Sequence, residues 1–239
     1  MLALLFAASI LIPIPSGSYH PLYGRRGDAP AHVAAFRIDR DAVTVGDYLS
    51  FLRRHPQWQR STVKPVFADR GQYLAAWRGD LDAGDANRHA QPVTGVSWFA
   101  ARAYCAEKRR RLPTVAEWEY VAAAGASVRD AARDPAFIDS RMVLYATRAA
   151  RRGVRPNEVN AYGVRGLHDG PWEWVEDFNS VLVSDDSRGT GARSHQLYCA
   201  SAAIGAADPS NYPAFLRYAV RAAATPRTSI ENLGFRCAA

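Results

Sequence analysis

Residues 225–237, Thr225-Pro226-Arg227-Thr228-Ser229-Ile230-Glu231-Asn232-Leu233-Gly234-Phe235-Arg236-Cys237, run from a turn-forming start into an apolar stretch that ends on a cysteine. Such a stretch reads as a buried strand tied to another part of the chain. Its expected partner is Cys105, in the run Val96-Ser97-Trp98-Phe99-Ala100-Ala101-Arg102-Ala103-Tyr104-Cys105, where Phe99, Ala100, Ala103 and Tyr104 recur at helical spacing. The chain has three cysteines, so this pairing leaves Cys199 over. A bridge from Cys105 to Cys237 closes a loop of more than a hundred residues, worth roughly 4 to 5 kcal/mol by chain entropy.

Working outward, Val45 to Arg54 places Val45, Tyr48, Leu49 and Leu52 at helical spacing behind Thr44, which predicts an N-capped helix packed on a sheet. Residues 55–89 are rich in Pro, Trp, Gly and Asp and read as an irregular excursion with a short helix at about Gln72 to Trp77, forming the wall of a surface groove. Ser97 is expected to cap the helix from Trp98 to Glu107. Thr114 with Glu117 three residues on spells a capping box, so Glu117 reads as a cap and not as a catalytic acid. Trp118 and Tyr120, flanking Glu119, read as core. Arg129 to Asn157 alternates in charge and is expected to be exposed connection. In Trp172-Glu173-Trp174 a strand turns the two tryptophans to one face and Glu173 to the other, one face core and one polar.

The sequence has 239 residues, 48% hydrophobic and 22% charged, without an internal repeat or low-complexity linker, which suits one globular domain. A net charge of +7 invites a nucleic-acid partner, yet Lys64 and Lys108 are the only lysines and the arginines are scattered. The dense run Lys108-Arg109-Arg110-Arg111 reads as a solvated helix C-terminus complementing the dipole in preference to a phosphate patch. No nucleic-acid partner is expected. Residues 1–11 form an apolar run too short to span a bilayer, read either as the remnant of a secretion signal or as a first core segment, with the domain at 12–239. No transmembrane span is expected, and a structural disulfide suits a periplasmic or secreted protein.

Four blocks, Val96 to Cys105, Arg111 to Tyr120, Tyr162 to Trp174 and Thr225 to Cys237, resemble in order the sulfatase-modifying-factor family, the family of the formylglycine-generating enzyme. Ile14 to Tyr19 and Phe36 to Thr44 look like that family's opening strands. The resemblance implies a single α+β domain of modified C-type-lectin-like fold, with small antiparallel sheets, helices and much loop. It also implies a copper(I) ion held by two thiols near the end of the domain, a coordination that suits a soft cation. The matching positions fall at about Asp208 and Pro213, and neither is cysteine. Tyr198-Cys199 matches the first of the two only across an insertion, and the second has no candidate.

Cys199 therefore stands open among three readings: an inert buried thiol, a metal ligand, or a nucleophile with His195 four residues before it as base. Arg221 matches a family arginine near the site and is expected to pair with a substrate carboxylate, with Asp208, or structurally within the protein. Asp208 itself reads as a cap for a helix at Ala214 to Tyr218. Trp58, Trp77, Tyr198, Asp208, Asn211 and Tyr212 are the candidate groove residues. Family members bind calcium near the Trp-Glu-Trp turn, and Asp169, Glu173 and Asp177 are the carboxylates at hand. His20, His32, His55, His89, His168 and His195 form no close-set pair with an acid, which leaves zinc and iron sites without their ligands; no phosphate loop or nucleophile elbow occurs.

The function expected from this reading is an extracytoplasmic, formylglycine-generating-enzyme-like protein lacking the paired copper cysteines, which binds another protein or peptide or matures a metalloenzyme. Two alternatives accompany it: a metal-dependent oxidase of altered design working on a protein thiol through Cys199, and a lectin-like ligand-binding module.

Overall fold

The computed structural model describes residues 9–22, 29–147, 156–179 and 211–239. Strands β1 (Leu11–Ile14) and β4 (Phe36–Asp39) pair antiparallel, as do β2 (Gly17–Tyr19) and β3 (Ala31–Val33). Helices α1 (Val45–Arg54), α2 (Trp98–Glu107), α3 (Val115–Ala122) and α4 (Pro135–Ala146) follow, then strand β5 (Trp172–Glu173), helix α5 (Tyr212–Ala223) and strand β6 (Leu233–Gly234). β5 and β6 run parallel for two residues each. The arrangement is a single α+β domain with small sheets and much irregular chain.

The C-terminal stretch organises this domain. Cys105 and Cys237 are joined by a disulfide, Cα to Cα 5.6 Å, with both residues buried. On either side the backbone continues as an extra sheet member: Asp39 donates to the Cys237 carbonyl, while Arg37 and Ala239 exchange two bonds, and so do Arg111 and Ala238. Phe235 sits edge-on to Tyr104 at 5.3 Å and to Tyr48 at 6.1 Å. A Cβ on Gly234 would overlap the Val93 carbonyl oxygen, so the tight approach of these two backbones requires glycine there.

Local signals form most of the helices. Thr44 accepts from Asp47 N and starts α1, which buries Val45, Tyr48, Leu49, Phe51 and Leu52. Ser97 caps α2. Thr114 and Glu117 complete the capping box of α3, and Trp118 and Tyr120 are buried. The apolar segment at 1–11 divides within this framework: Arg40 donates to the Ile10 carbonyl and Leu11 opens β1, whereas residues 1–8 lie outside the described residues.

Three expectations are corrected. Residues 70–76 are successive turns, not a helix at Gln72 to Trp77, because Leu74 N reaches across to the Gly95 carbonyl and Leu74 is held at φ +50°. The stretch from Arg129 to Asn157 contains α4, which starts at Pro135 behind the cap Asp134 and buries Arg141 and Tyr145. In the run Lys108 to Arg111, three cations are engaged with protein: Lys108 lies over the Tyr104 ring at 5.1 Å, Arg110 pairs with buried Asp39, and Arg111 grips Glu117 through both Nη atoms.

Candidate functional site

α3, α5, β5 and β6 converge on a buried polar cluster beneath three tryptophans. α5 begins at Asn211, whose side chain accepts from Ala214 N, and its buried face carries Pro213, Ala214, Arg217, Tyr218 and Arg221. This corrects the assignment of the cap to Asp208 and extends the helix beyond Ala214 to Tyr218. Two arginines on the buried face need a counter-charge, and Glu119 of α3 supplies it. Arg217 donates to both Glu119 oxygens at 2.6 to 3.1 Å, and Arg221 donates to Oε1 at 2.5 Å. The guanidiniums also lie over the Trp118 ring, Arg221 at 4.9 Å and Arg217 at 5.6 Å.

Burial works against the charge on Glu119, but Arg217 and then Arg221 outweigh it and hold the carboxyl at about 2. Tyr19 nearby is pushed up to about 12, chiefly by burial and next by the Glu119 charge. The cluster continues through Arg217 Nη1 to the Tyr145 hydroxyl, from Tyr145 to His168 Nδ1 and from His168 Nε2 to the Ala122 carbonyl. Burial, with Arg217 and Arg141 adding to it, depresses His168 well below the usual imidazole range, so it is neutral at pH 7. Nε2–H then donates to Ala122 and Nδ1 accepts from Tyr145.

A second buried pair lies alongside. Glu173 Oε2 accepts from Arg236 Nε at 2.7 Å and from Trp118 Nε1 at 2.8 Å, and Oε1 accepts from Arg236 Nη2 at 2.8 Å. The remaining Arg236 donors go to the carbonyls of Asp39, Arg40 and Arg165. The polar face expected of the Trp-Glu-Trp strand is thus inside the protein, satisfied by an arginine from the C-terminal stretch instead of by water.

The expected site residues are distributed as follows. Arg221 is in the buried cluster, paired with Glu119. Asn211 is a helix cap, and its Nδ2 donates to the Ala132 carbonyl. Tyr212 is exposed and stacks on Phe215 at 5.5 Å. Trp58 is half-buried against Phe67. Trp77 is not on a groove wall: it is 3% exposed, with its ring edge-on to Tyr48, because the turns that replace the expected helix fold it inward. Cys199, His195, Tyr198 and Asp208 lie outside the described residues.

Of the carboxylates considered for calcium, Glu173 belongs to the Arg236 pair. Asp169 Oδ2 accepts from Asn157 N and Glu158 N. Asp177 Oδ1 accepts from Val115 N at the start of α3. Among the described residues, no group of three or more His, Cys, Asp or Glu side chains is placed to hold a metal ion. The disulfide takes up two of the three cysteines, and the position that the family resemblance gives to the second thiol is Pro213, at the head of α5.

Small niches adjoin the buried cluster, at the tryptophans and at His168, and a larger cleft lies apart from it. A niche of about 10 Å³ between Trp118, Trp172, Trp174 and Arg221 has room for about one water. A cleft of about 460 Å³ opens beside α1, lined by groups of both signs including Asp41, Asp47, Arg53, His89 and Arg165. None of Trp58, Trp77, Asn211 and Tyr212 lines that cleft. Sequence reasoning missed Glu119, Arg217 and Arg236 as organising residues. The available signal was Arg217 and Arg221, one turn apart on the apolar face of α5.

A loop-rich α+β domain closed by a buried terminal disulfide over a Trp-Glu-Trp strand defines a protein of formylglycine-generating-enzyme type. The family profile of the sulfatase-modifying factor enzyme 1-like domain matches residues 9–239, and the chain belongs to that family. It is 30% identical to the inactive C-alpha-formylglycine-generating enzyme 2 of Bos taurus, over 90% of this chain and 81% of that protein. It is 26% identical to the formylglycine-generating enzyme of the same species, over 96% of this chain and 74% of that one. Hercynine oxygenase of Mycobacterium tuberculosis is 29% identical over 62% of this chain and 40% of its own length. Among solved structures, that of CarF aligns with a TM-score of 0.47 at 16% identity, covering 97% of this chain and 98% of that one. No helix among the described residues is long and apolar enough to cross a membrane.

Proposed function

We propose that this chain is an extracytoplasmic member of the family that lacks the paired copper cysteines and acts as a binding or maturation factor for another protein. One observation carries the reading: Cys105 and Cys237 are committed to a buried disulfide, which leaves Cys199 without a second thiol. Copper(I) chemistry of the two-thiolate kind needs both sulfurs. The polar groups around Glu119, Arg217 and Arg221 are buried and hydrogen-bonded to one another, in keeping with a structural role for them instead of a reacting centre. A relative described as an inactive formylglycine-generating enzyme is in keeping with this. The disulfide is in keeping with an oxidising compartment.

The test is chemical. Purified protein is incubated in air with copper(I) and a Cys-x-Pro-x-Arg peptide, and the peptide is analysed by mass spectrometry for conversion of its cysteine to an aldehyde. The expected outcome is unchanged peptide. Aldehyde formed in proportion to protein, and abolished by Cys199→Ala, would overturn the proposal.

A further inference from the structure

Six aromatic rings run in unbroken contact from the core to the surface. Trp174 packs on Phe178 at 5.1 Å between centroids and Phe178 on Trp98 at 5.9 Å. Trp98 and Phe99 are 5.4 Å apart, Phe99 and Phe67 5.4 Å, and Phe67 and Trp58 5.7 Å. The two inner rings are buried, Trp98, Phe99 and Trp58 are half-buried, and Phe67 is exposed. Phe67 ends the exposed run Lys64-Pro65-Val66-Phe67, in which Val66 is 61% exposed.

This projection is fixed in place. Phe67 N donates to the Lys64 carbonyl, Asp69 N to the Arg227 carbonyl, Arg227 Nη1 to the Pro65 carbonyl and Arg70 Nε to the Val63 carbonyl. An ordered apolar knob backed by half-open rings has the make-up of an interface core, where large aromatic side chains concentrate and little conformational entropy is left to lose on binding. Its rim is cationic. Lys64, Arg70 and Arg227 have no carboxylate partner among the described residues, and Arg102 lies over the Trp98 ring at 4.7 Å while pairing with Glu176. Residues 60–71 carry Arg60, Lys64 and Arg70 against Asp69 alone.

We propose that this surface docks an acidic segment of a partner protein, its carboxylates meeting Lys64, Arg70 and Arg227 and its apolar side chains covering Phe67 and Phe99. The charge of the rim selects an acidic occupant over a basic one, and the exposed rings select one that also carries apolar side chains. The inference rests on the binding reading above and gives it a place and a partner chemistry.

The probe is a fluorescent synthetic peptide alternating Asp or Glu with Phe, titrated against the whole protein by anisotropy. A lysine-for-acid peptide, a serine-for-phenylalanine peptide and an oligothymidine serve as comparators. The acidic aromatic peptide is expected to bind, and Phe67→Ser or Lys64→Glu to weaken it by about tenfold or more. Lys64 is exposed and unpaired by any carboxylate among the described residues, so Lys64→Glu should keep the parent's thermal melt. Phe67→Ser gives up its ring contacts with Trp58 and Phe99, so its binding is compared well below its own melting midpoint. Absence of binding, equal binding of the lysine peptide, tighter binding of the oligothymidine, or unchanged affinity in both variants would overturn the proposal. Aldehyde formation in the copper assay would sink the loss of oxidase chemistry and leave this surface standing. No aldehyde and no peptide binding would do the reverse.

Discussion

Glu119 is the shared carboxylate partner of two buried guanidiniums, and its substitution by Gln keeps the shape while removing the charge. Glu119→Gln should cost about 3 to 5 kcal/mol, read as a lowered urea midpoint at pH 7, because Arg217 and Arg221 are then left buried without a counter-ion. The pH dependence follows from a carboxyl held at about 2 in the native state against 4.5 ordinarily. Its contribution, about 3 kcal/mol, is complete above pH 4.5 and falls away as the pH drops from 4.5 towards 2. The parent protein should therefore lose stability over that interval, and the Gln variant should lack this part of the slope. Arg217 and Arg221, one turn apart on the buried face of α5, hint at a buried acceptor, but nothing local points to Glu119, whose partners lie 98 and 102 residues further along the chain. Glu117, two residues earlier, was legible because its job is done within one turn of Thr114. Glu173 was half legible: alternation turned it away from its tryptophans but does not distinguish water from a buried Arg236.

Among the elements, α3 is secured at its first turn by three acceptors: Thr114 Oγ1 takes Glu117 N, Glu117 Oε2 takes Thr114 N, and Asp177 Oδ1 takes Val115 N. Thr114→Ala removes one of them and is expected to cost about 1 kcal/mol, a fall of roughly 2–4 °C in the calorimetric midpoint. Elements that carry such signals, α1, α2 and α3, could be read in advance with their caps. α4 could not, because its alternating charges resemble an exposed connection and the features that bury it, Arg141 beside Glu158 and Tyr145 beside His168, join distant segments. The turns at 70–76 failed in the opposite direction. Their residues have helical character, but a bond from Leu74 N to Gly95 forces a positive φ that no helix contains.

At the scale of the whole molecule, the Cys105–Cys237 bridge spans a sequence separation of 132 residues. Opening it should lower the unfolding free energy by about 5 kcal/mol on the chain-entropy account, measurable by guanidinium denaturation of the protein with and without reductant. Both sulfurs are buried, so the loss should appear only when reductant is added together with denaturant, and a native sample treated with reductant alone should keep its thiols masked. The pairing of Cys105 with Cys237 was expected from the cysteines and their surroundings. The backbone bonds that interleave Arg37, Asp39 and Arg111 with residues 237–239 were not, since sheet partners so far apart leave no mark on either segment. They have a bearing on biogenesis. A nascent polypeptide emerges from its first residue onward, and here β4, α2 and the loop before α3 wait for residues 233–239 to fill the space between them. Folding of this domain during synthesis therefore stalls until those residues have left the ribosome, and a chain cut short before them presents an open seam to chaperones and proteases.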